Sequence, residues 1–461
     1  MSKTKSWRNC KSIDKTYLIF ILILIGFLLF KLNQLNYYHL AIWDESVYIG
    51  IGKYLYSGGE VGLLEDIRPI GLPLILGLLW KLGFNILKTG ELVSILFGTG
   101  SIIMTYLVGK KLFNKKIGII CAVLLAFTPV FVYFSSFALT GIPSMFFSLI
   151  AIYSYLDKKY FYSGIFSGIS FLIRYPQGII FGSLIILSIK NLKTTKKIIF
   201  GFLCIVIPLL IYNQIMYENF LQPFLSASAH QNNEVNSVID SSILSKIYNL
   251  LYYAIELIKQ NFLSLFFFIS IFFYIKKKEK FILLPILYLL YFTLISNKQI
   301  RFSIVFLPLI YIFAINYLLE IIKKIPLKHV LLISLICISL IYPLISIQKD
   351  TKLRGTYIPE IDDYYQFIKN KQFQTKILST DPTPVAYADI NLIPAYSSVE
   401  DFNIECQKYE NNSPIIYTTN YYPCFNKKCN EQKINQIHKI SKNRNLVYNE
   451  SYFGQNYYIF S

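Results

Sequence analysis

The regular return of short lysine blocks between long apolar runs most constrains what this chain can fold into. After an N-terminal set of Lys3, Lys5, Arg8, Lys11 and Lys15, the blocks are Lys110/Lys111/Lys115/Lys116, Lys158/Lys159, Lys190/Lys193/Lys196/Lys197, Lys276/Lys277/Lys278/Lys280 and Lys323/Lys324/Lys328. Apolar residues make up 54% of the 461 and mean hydropathy is +0.47, so a soluble domain would aggregate and a multi-span membrane protein is expected. A net charge of +19 could suggest nucleic acid. Confinement of that charge to short inter-span blocks is instead the pattern of cytoplasmic loops, which excludes nucleic acid as a partner.

If every block is cytoplasmic, the spans must fall in pairs between blocks, and they do. The first span, read as uncleaved, lies at 17–32. It is followed by 90–109, 117–134, 143–157, 160–173, 176–190, 198–216, 261–275, 281–296, 302–320 and 329–346. The expected fold is an α-helical polytopic membrane protein of about eleven transmembrane helices, multi-pass in the cell membrane with its N-terminus cytoplasmic. The apolar stretch 69–87 is taken as juxtamembrane or re-entrant, because a full crossing there would turn every later lysine block outward.

Three regions are left on the outer side: 33–89, 217–260 and 347–461. Beyond Ile347 the apolar runs shorten to strand length at 376–379, 415–418 and 457–460, and helical stretches at 360–371 and 431–442 alternate with them. The expected organisation is a transmembrane domain at 1–346, carrying the outer loop 33–89, and a small extracytoplasmic α/β domain at 347–461. Cys406, Cys424 and Cys429 fall in that outer domain, where a disulfide is permitted, and no Cys/His spacing matches a zinc site.

This topology puts acids and bases from distant segments on one face. Asp44 and Glu45 follow the first span, and Arg68 precedes Pro69. Arg174-Tyr175-Pro176 interrupts the apolar run from Ile165 to Ile189 and marks the tip of a helical hairpin. Lys298 and Arg301 mark a later outer turn. Each alone has an ordinary explanation, since a juxtamembrane acid is usually solvated and an interfacial arginine snorkels to headgroups. Their convergence is what chemistry on a membrane-borne substrate requires. A multi-span secondary transporter is the alternative reading, but the spans carry few ionisable residues and no repeat relates two halves. A scaffold would leave the convergence unexplained.

Over residues 15–346 the order of motifs resembles the GT-C glycosyltransferases, particularly the group of protein O-mannosyltransferases and the lipid A aminoarabinose transferase. The residues that carry the resemblance begin with Asp44-Glu45-Ser46-Val47-Tyr48, Tyr56-Ser57-Gly58-Gly59 and Arg68-Pro69-Ile70-Gly71-Leu72-Pro73. They continue with Gly109-Lys110-Lys111-Leu112-Phe113, Ala126-Phe127-Thr128-Pro129, the hairpin from Phe171 to Pro176, Arg301-Phe302 and Leu307-Pro308. One departure stands out: many relatives carry Thr-Asp-hydrophobic-Pro where this chain reads Thr140-Gly141-Ile142-Pro143. No Trp-Trp-Asp triplet occurs in the outer domain, against an oligosaccharyltransferase acting on Asn.

The resemblance implies transfer of a sugar from a polyprenyl (dolichyl or undecaprenyl) phosphate donor to a hydroxyl of a protein, lipid or glycan acceptor on the outer face. It implies Asp44 as general base with Glu45 supporting it, and inversion at the anomeric carbon. Arg68 and Arg301 are then the candidate phosphate clamps, because a planar guanidinium grips two oxygens, with Arg174 and Lys298 as lesser candidates. No cofactor is required by this reading, and a divalent metal is compatible with it. The energy held in the phosphodiester fits the lack of a Gly-rich nucleotide loop in the sequence.

Overall fold

The computed structural model describes residues 15–236, 243–295, 297–323, 325–354, 357–371, 373, 375–395, 406, 408, 413–419, 427–452 and 455–461. It begins with the apolar helix α1 (Lys15–Gln34), and the first outer segment then forms α2 (Trp43–Ser57) and α3 (Gly71–Lys81). Next come α4 (Ile86–Leu112), α5 (Lys115–Ala126), α6 (Pro129–Phe134), α7 (Gly141–Leu156), α8 (Tyr160–Ile173), α9 (Gly178–Ser188) and α10 (Leu192–Tyr217). The helical part is completed by α11 (Gln222–Asn236), α12 (Ile243–Gln260), α13 (Leu265–Lys276), α14 (Leu283–Leu294), α15 (Leu307–Ile322) and α16 (Lys328–Arg354).

Helices α1, α4, α10 and α16 are each long and apolar enough to cross a bilayer, and most of the others are shorter apolar helices. One expected span is corrected. The run 117–134 is not one helix but α5 and α6, broken at Phe127-Thr128. Proline disfavours helical backbone in the residue before it, and Thr128 accordingly adopts φ −77° and ψ 121° before Pro129. The 302–320 run is likewise a 3-10 turn, Ile300–Val305, leading into α15, and the last span extends beyond 346 to Arg354. Helix α3 has 11 residues, about half the length a crossing demands.

The two ends of the bundle differ in chemistry. At one end Lys111 and Lys159 both pair with Asp157 at 3.0 Å, so the lysine-bearing ends of α4, α7 and α8 meet there. Thr140 and Arg174, at the other ends of α7 and α8, therefore lie on the opposite face. Small residues let the helices come close. A Cβ on Gly164 of α8 would stand 2.1 Å from the Ile198 carbonyl of α10, and one on Gly201 would stand 2.1 Å from the Phe161 carbonyl.

Beyond α16 the described residues form helix α17 (Pro359–Lys371), the short helix α18 (Pro384–Tyr387), helix α19 (Lys427–Asn443) and five strands. These are β1 (Ile377–Ser379), β2 (Leu392–Pro394), β3 (Ile415–Thr418), β4 (Leu446–Tyr452) and β5 (Gln455–Phe460), in the sheet order β2-β1-β3-β5-β4. β1 runs parallel to β2 and β3, whereas β5 is antiparallel to β3 and β4. Cys424 lies outside the described residues, so the pairing of Cys406, Cys424 and Cys429 does too.

This sheet does not stand apart from the outer loop. Val47 and Ile51 of α2, with Leu63, share a core with Ile361, Tyr364, Ile377, Val385 and Ile459. Lys53 is buried, donates to the carbonyls of Val385 and Ala388 at 2.8 and 3.1 Å, and pairs with Asp389 at 2.8 Å. Gly62 forms a parallel bridge with Asn391 beside β2. The turn that allows this is glycine-dependent: Gly58 ends α2 at φ +70°, and a Cβ on Gly62 would meet the Gly50 carbonyl at 2.2 Å.

Helix α2 crosses α3 at two glycines. A Cβ on Gly77 would stand 2.3 Å from the Gly52 carbonyl, which is backbone and cannot swing aside. Gly77→Val should therefore destabilise the protein by roughly 1–3 kcal/mol, the usual cost of overpacking, read as a lowered Tm of the detergent-solubilised protein. A Tm equal to that of the wild type would show that the two helices are not held this close.

Candidate active site

Helix α2 begins Trp43-Asp44-Glu45, and acids in a first turn are favoured by the unpaired N–H groups there. Adjacent residues on a helix project about 100° apart, so the two carboxylates of this pair face different surroundings. Asp44 turns toward two arginines brought from other segments. Its Oδ1 lies 3.0 Å from an Arg68 guanidinium nitrogen and its Oδ2 lies 2.7 Å from one of Arg301. Arg68 comes from the loop before α3 and also pairs with Glu65 at 3.0 Å. Arg301 comes from the 3-10 turn before α15 and donates a further hydrogen bond to Gln299.

Arg174, at the C-terminal end of α8, completes the group. Its guanidinium sits over the Phe302 ring at 5.0 Å, and that of Arg301 lies 5.6 Å from the same ring. Arg68 similarly lies 5.8 Å from the Tyr48 ring. The Arg174 contact with Thr140 Oγ1 is long at 3.5 Å, and its buried Nε has no hydrogen-bond partner among the described residues. Beside it, a Cβ on Gly141 would meet nothing within 4 Å, so the position where relatives carry an acid borders open space.

The electrostatics follow from this geometry. Burial pushes the Asp44 carboxyl up, but Arg68 and Arg301 outweigh it and hold the group at about 2. Burial works against the Arg68 charge, and Asp44 and Glu65 more than compensate, raising it well above the ordinary value. Arg174 goes the other way: burial lowers it and neighbouring Arg301 adds to the effect. The site thus contains one guanidinium without a carboxylate partner, ready for an anion.

Two of the residues expected here lie elsewhere. Glu45 is fully buried behind the site, where it contacts His39 and the Ala138 N–H. Lys298 donates to the carbonyls of Phe292, Thr293 and Ile295, closing the end of α14, and burial lowers its ammonium to about 8. His39 and Glu91 were missed by the sequence reading. The available signal was Glu91 itself, an acid inside an apolar helix, where an ionisable group is costly and needs a reason. A resident divalent cation does not fit the arrangement. Both Asp44 oxygens face guanidinium groups, and among the described residues no three His, Cys, Asp or Glu side chains gather as a metal site.

An apolar helical bundle joined to a small mixed sheet is a fold that this chain shares with solved structures. The structure is similar to ArnT from Cupriavidus metallidurans bound to undecaprenyl phosphate, with a TM-score of 0.64 over 96% of this chain and 97% of that one, at 11% identity. It is also similar to the oligosaccharyltransferase of Archaeoglobus fulgidus in complex with Zn and sulfate, with a TM-score of 0.61 over 87% of this chain and 67% of that one, at 13% identity. Residues 67–217, from the Arg68 loop to the end of α10, match the dolichyl-phosphate-mannose-protein mannosyltransferase family. No curated protein matches the chain in sequence.

Replacing Asp44 by Asn removes the anion between two cations. Because breaking a partly buried ion pair strands its partners, D44N should lose on the order of 2–3 kcal/mol, seen as a lower Tm at neutral pH. Since the Asp44 pKa is depressed in the folded state, its stabilisation is present above about pH 4 and is lost as the pH falls through about 2. The difference in Tm between wild type and D44N should therefore shrink at low pH. A constant difference from neutral pH down to about 2 would show that Asp44 is not ion-paired.

Proposed function

We propose that this protein transfers a sugar from a polyprenyl-phosphate donor to an acceptor hydroxyl on the outer face of the cell membrane, with inversion at the anomeric carbon. The observation that carries the reading is the Asp44 carboxylate held between Arg68 and Arg301 beside the uncompensated Arg174, at the end of the bundle opposite its lysine blocks. The positive-inside rule makes that end extracytoplasmic, with the N-terminus in the cytoplasm. Similarity to a structure bound to undecaprenyl phosphate supports a lipid-linked donor.

In this mechanism the donor's lipid tail stays in the bilayer and its phosphate enters the arginine group. Arg174 is the first to receive it, because its buried Nε lacks a partner. Arg68 and Arg301 then shift part of their charge from Asp44 to the phosphate. A carboxylate held at about 2 is a feeble base. Drawing the guanidinium groups away strengthens it at the moment the acceptor arrives, bringing its basicity closer to what proton transfer needs. The acceptor oxygen attacks the anomeric carbon through an oxocarbenium-like state as the bond from that carbon to the phosphate oxygen breaks. The hydroxyl proton goes to Asp44, and the polyprenyl phosphate leaves with one more negative charge, stabilised by the arginines. Lys298 is a reserve cation at the rim and would need to release the α14 carbonyls to take part.

The acceptor is a hydroxyl on a protein, lipid or glycan, and the site presents Arg174 and the space over Gly141 to one of the two substrates.

Purified protein given labelled sugar on undecaprenyl or dolichyl phosphate should transfer label to an acceptor fraction. Asp44→Ala should lower kcat by at least about 100-fold, the scale of losing a general base, and R174Q should raise the donor KM. Undiminished transfer by the Asp44 variant would overturn the assignment of the base. Absence of transfer by the wild type from every polyprenyl-phosphate donor would overturn the function.

A further inference from the structure

We propose that Glu45, His39 and Glu91 form a buried clamp that positions Asp44, making them positioning residues for the transfer reaction; the inference rests on the function proposed above. Glu45 is the only acid adjacent to Asp44 in sequence, yet it is fully buried and points into the protein rather than into the arginine group. One of its oxygens accepts from His39 Nε2 at 2.9 Å, and the other accepts from the Ala138 backbone N–H at 2.8 Å. The opposite ring nitrogen, His39 Nδ1, lies 3.3 Å from a carboxylate oxygen of Glu91 on α4. The imidazole rests against the Phe137 ring, with centroids 5.4 Å apart. The segment after α1, helix α4 and the loop before α7 thus converge on a carboxylate one residue from the base.

With both acids ionised each can only accept, so the imidazole between them carries a proton on both ring nitrogens. The clamp is therefore acid, imidazolium, acid. Burial opposes the His39 charge, but Glu45 and Glu91 hold its pKa at about 9. Among the described residues, Tyr38 adjoins His39, and Tyr387 of the C-terminal part donates its hydroxyl to the His39 carbonyl at 3.5 Å and accepts from the Ala41 N–H at 2.8 Å. A histidine pKa raised on folding gives stability that is fully present below the ordinary imidazole value of about 6.5 and is lost as the pH rises through the folded value.

The test uses the full-length protein in detergent, with His39→Gln and Glu91→Gln, and undecaprenyl-phosphate sugar as donor. Loss of positioning should lower kcat about tenfold or more while the donor KM stays within about twofold, because the arginines are untouched. The wild type should lose Tm between about pH 6.5 and pH 9, where only the folded state keeps the His39 proton, and H39Q should lack that step. A kcat within about twofold of wild type in both variants, or an alkaline step that survives in H39Q, would overturn the clamp. If H39Q does not fold, E91Q supplies the kcat readout and should move the end of the pH step downward, because Glu45 alone then holds the imidazolium; an unmoved step would overturn the clamp. If the wild type transfers no sugar from any donor, the proposed function falls, and the alkaline step still decides whether the clamp exists.

Discussion

One carboxylate shared by two guanidinium groups organises this molecule. Asp44 links the N-terminal turn of α2 to the loop that carries Arg68 and to the turn that carries Arg301, segments far apart in sequence. Without an anion between them, Arg68 and Arg301 would repel across a poorly solvated space, and Arg174 would add to that repulsion. With it, and with Glu65 on the other side of Arg68, two of the three charges are compensated and the third is held over Phe302. Ground-state stability and readiness for an anionic ligand therefore come from the same small charge imbalance.

Holding that imbalance in place falls to α2. One side of the helix, through Val47 and Ile51, packs into the core of the C-terminal sheet. Another, through Tyr48 and Ile49, packs with Leu72, Leu76, Ala138 and Ile173 against the helical bundle. The close glycine crossing with α3 and the buried contacts of Lys53 fix the remaining freedom. A side chain at the start of such a helix is placed by packing on both sides rather than by loop geometry.

Much of this was legible in the sequence, and the reasons for the rest are physical. Lysine blocks reveal the ends of the bundle because the cost of moving charge across a bilayer is imposed locally, residue by residue. The strand-length runs after Ile347 mark β1, β3 and β5 because strands buried on both faces, such as β1 and β3, read as short continuous apolar runs. Arg68, Arg301 and Asp44 could be placed on one face, but not joined, because an ion pair between segments over 200 residues apart leaves no trace in local pattern. The helical phase of Asp44-Glu45 was hidden for another reason. An acid pair looks like one functional unit until a helix start is fixed at Trp43, after which its members must diverge. Lys298 looked like a free cation at an outer turn, and only the fold shows the α14 carbonyls it satisfies. The break at Thr128-Pro129 was readable from the proline and was overridden by the apolar run around it.

The core shared by α2 and the C-terminal sheet sets a timetable for biogenesis. Val47 and Ile51 leave the ribosome early, while Ile361, Ile377 and Ile459, which enclose them, are made roughly 300 to 400 residues later. At about 5–20 residues per second, the interval is some tens of seconds. Throughout it, the helix bearing Asp44 lacks the partners that bury it. A chain interrupted before β5 would leave the core around Val47 and Ile51 without Ile459, so the support of the helix that carries Asp44 waits on a strand made long after it.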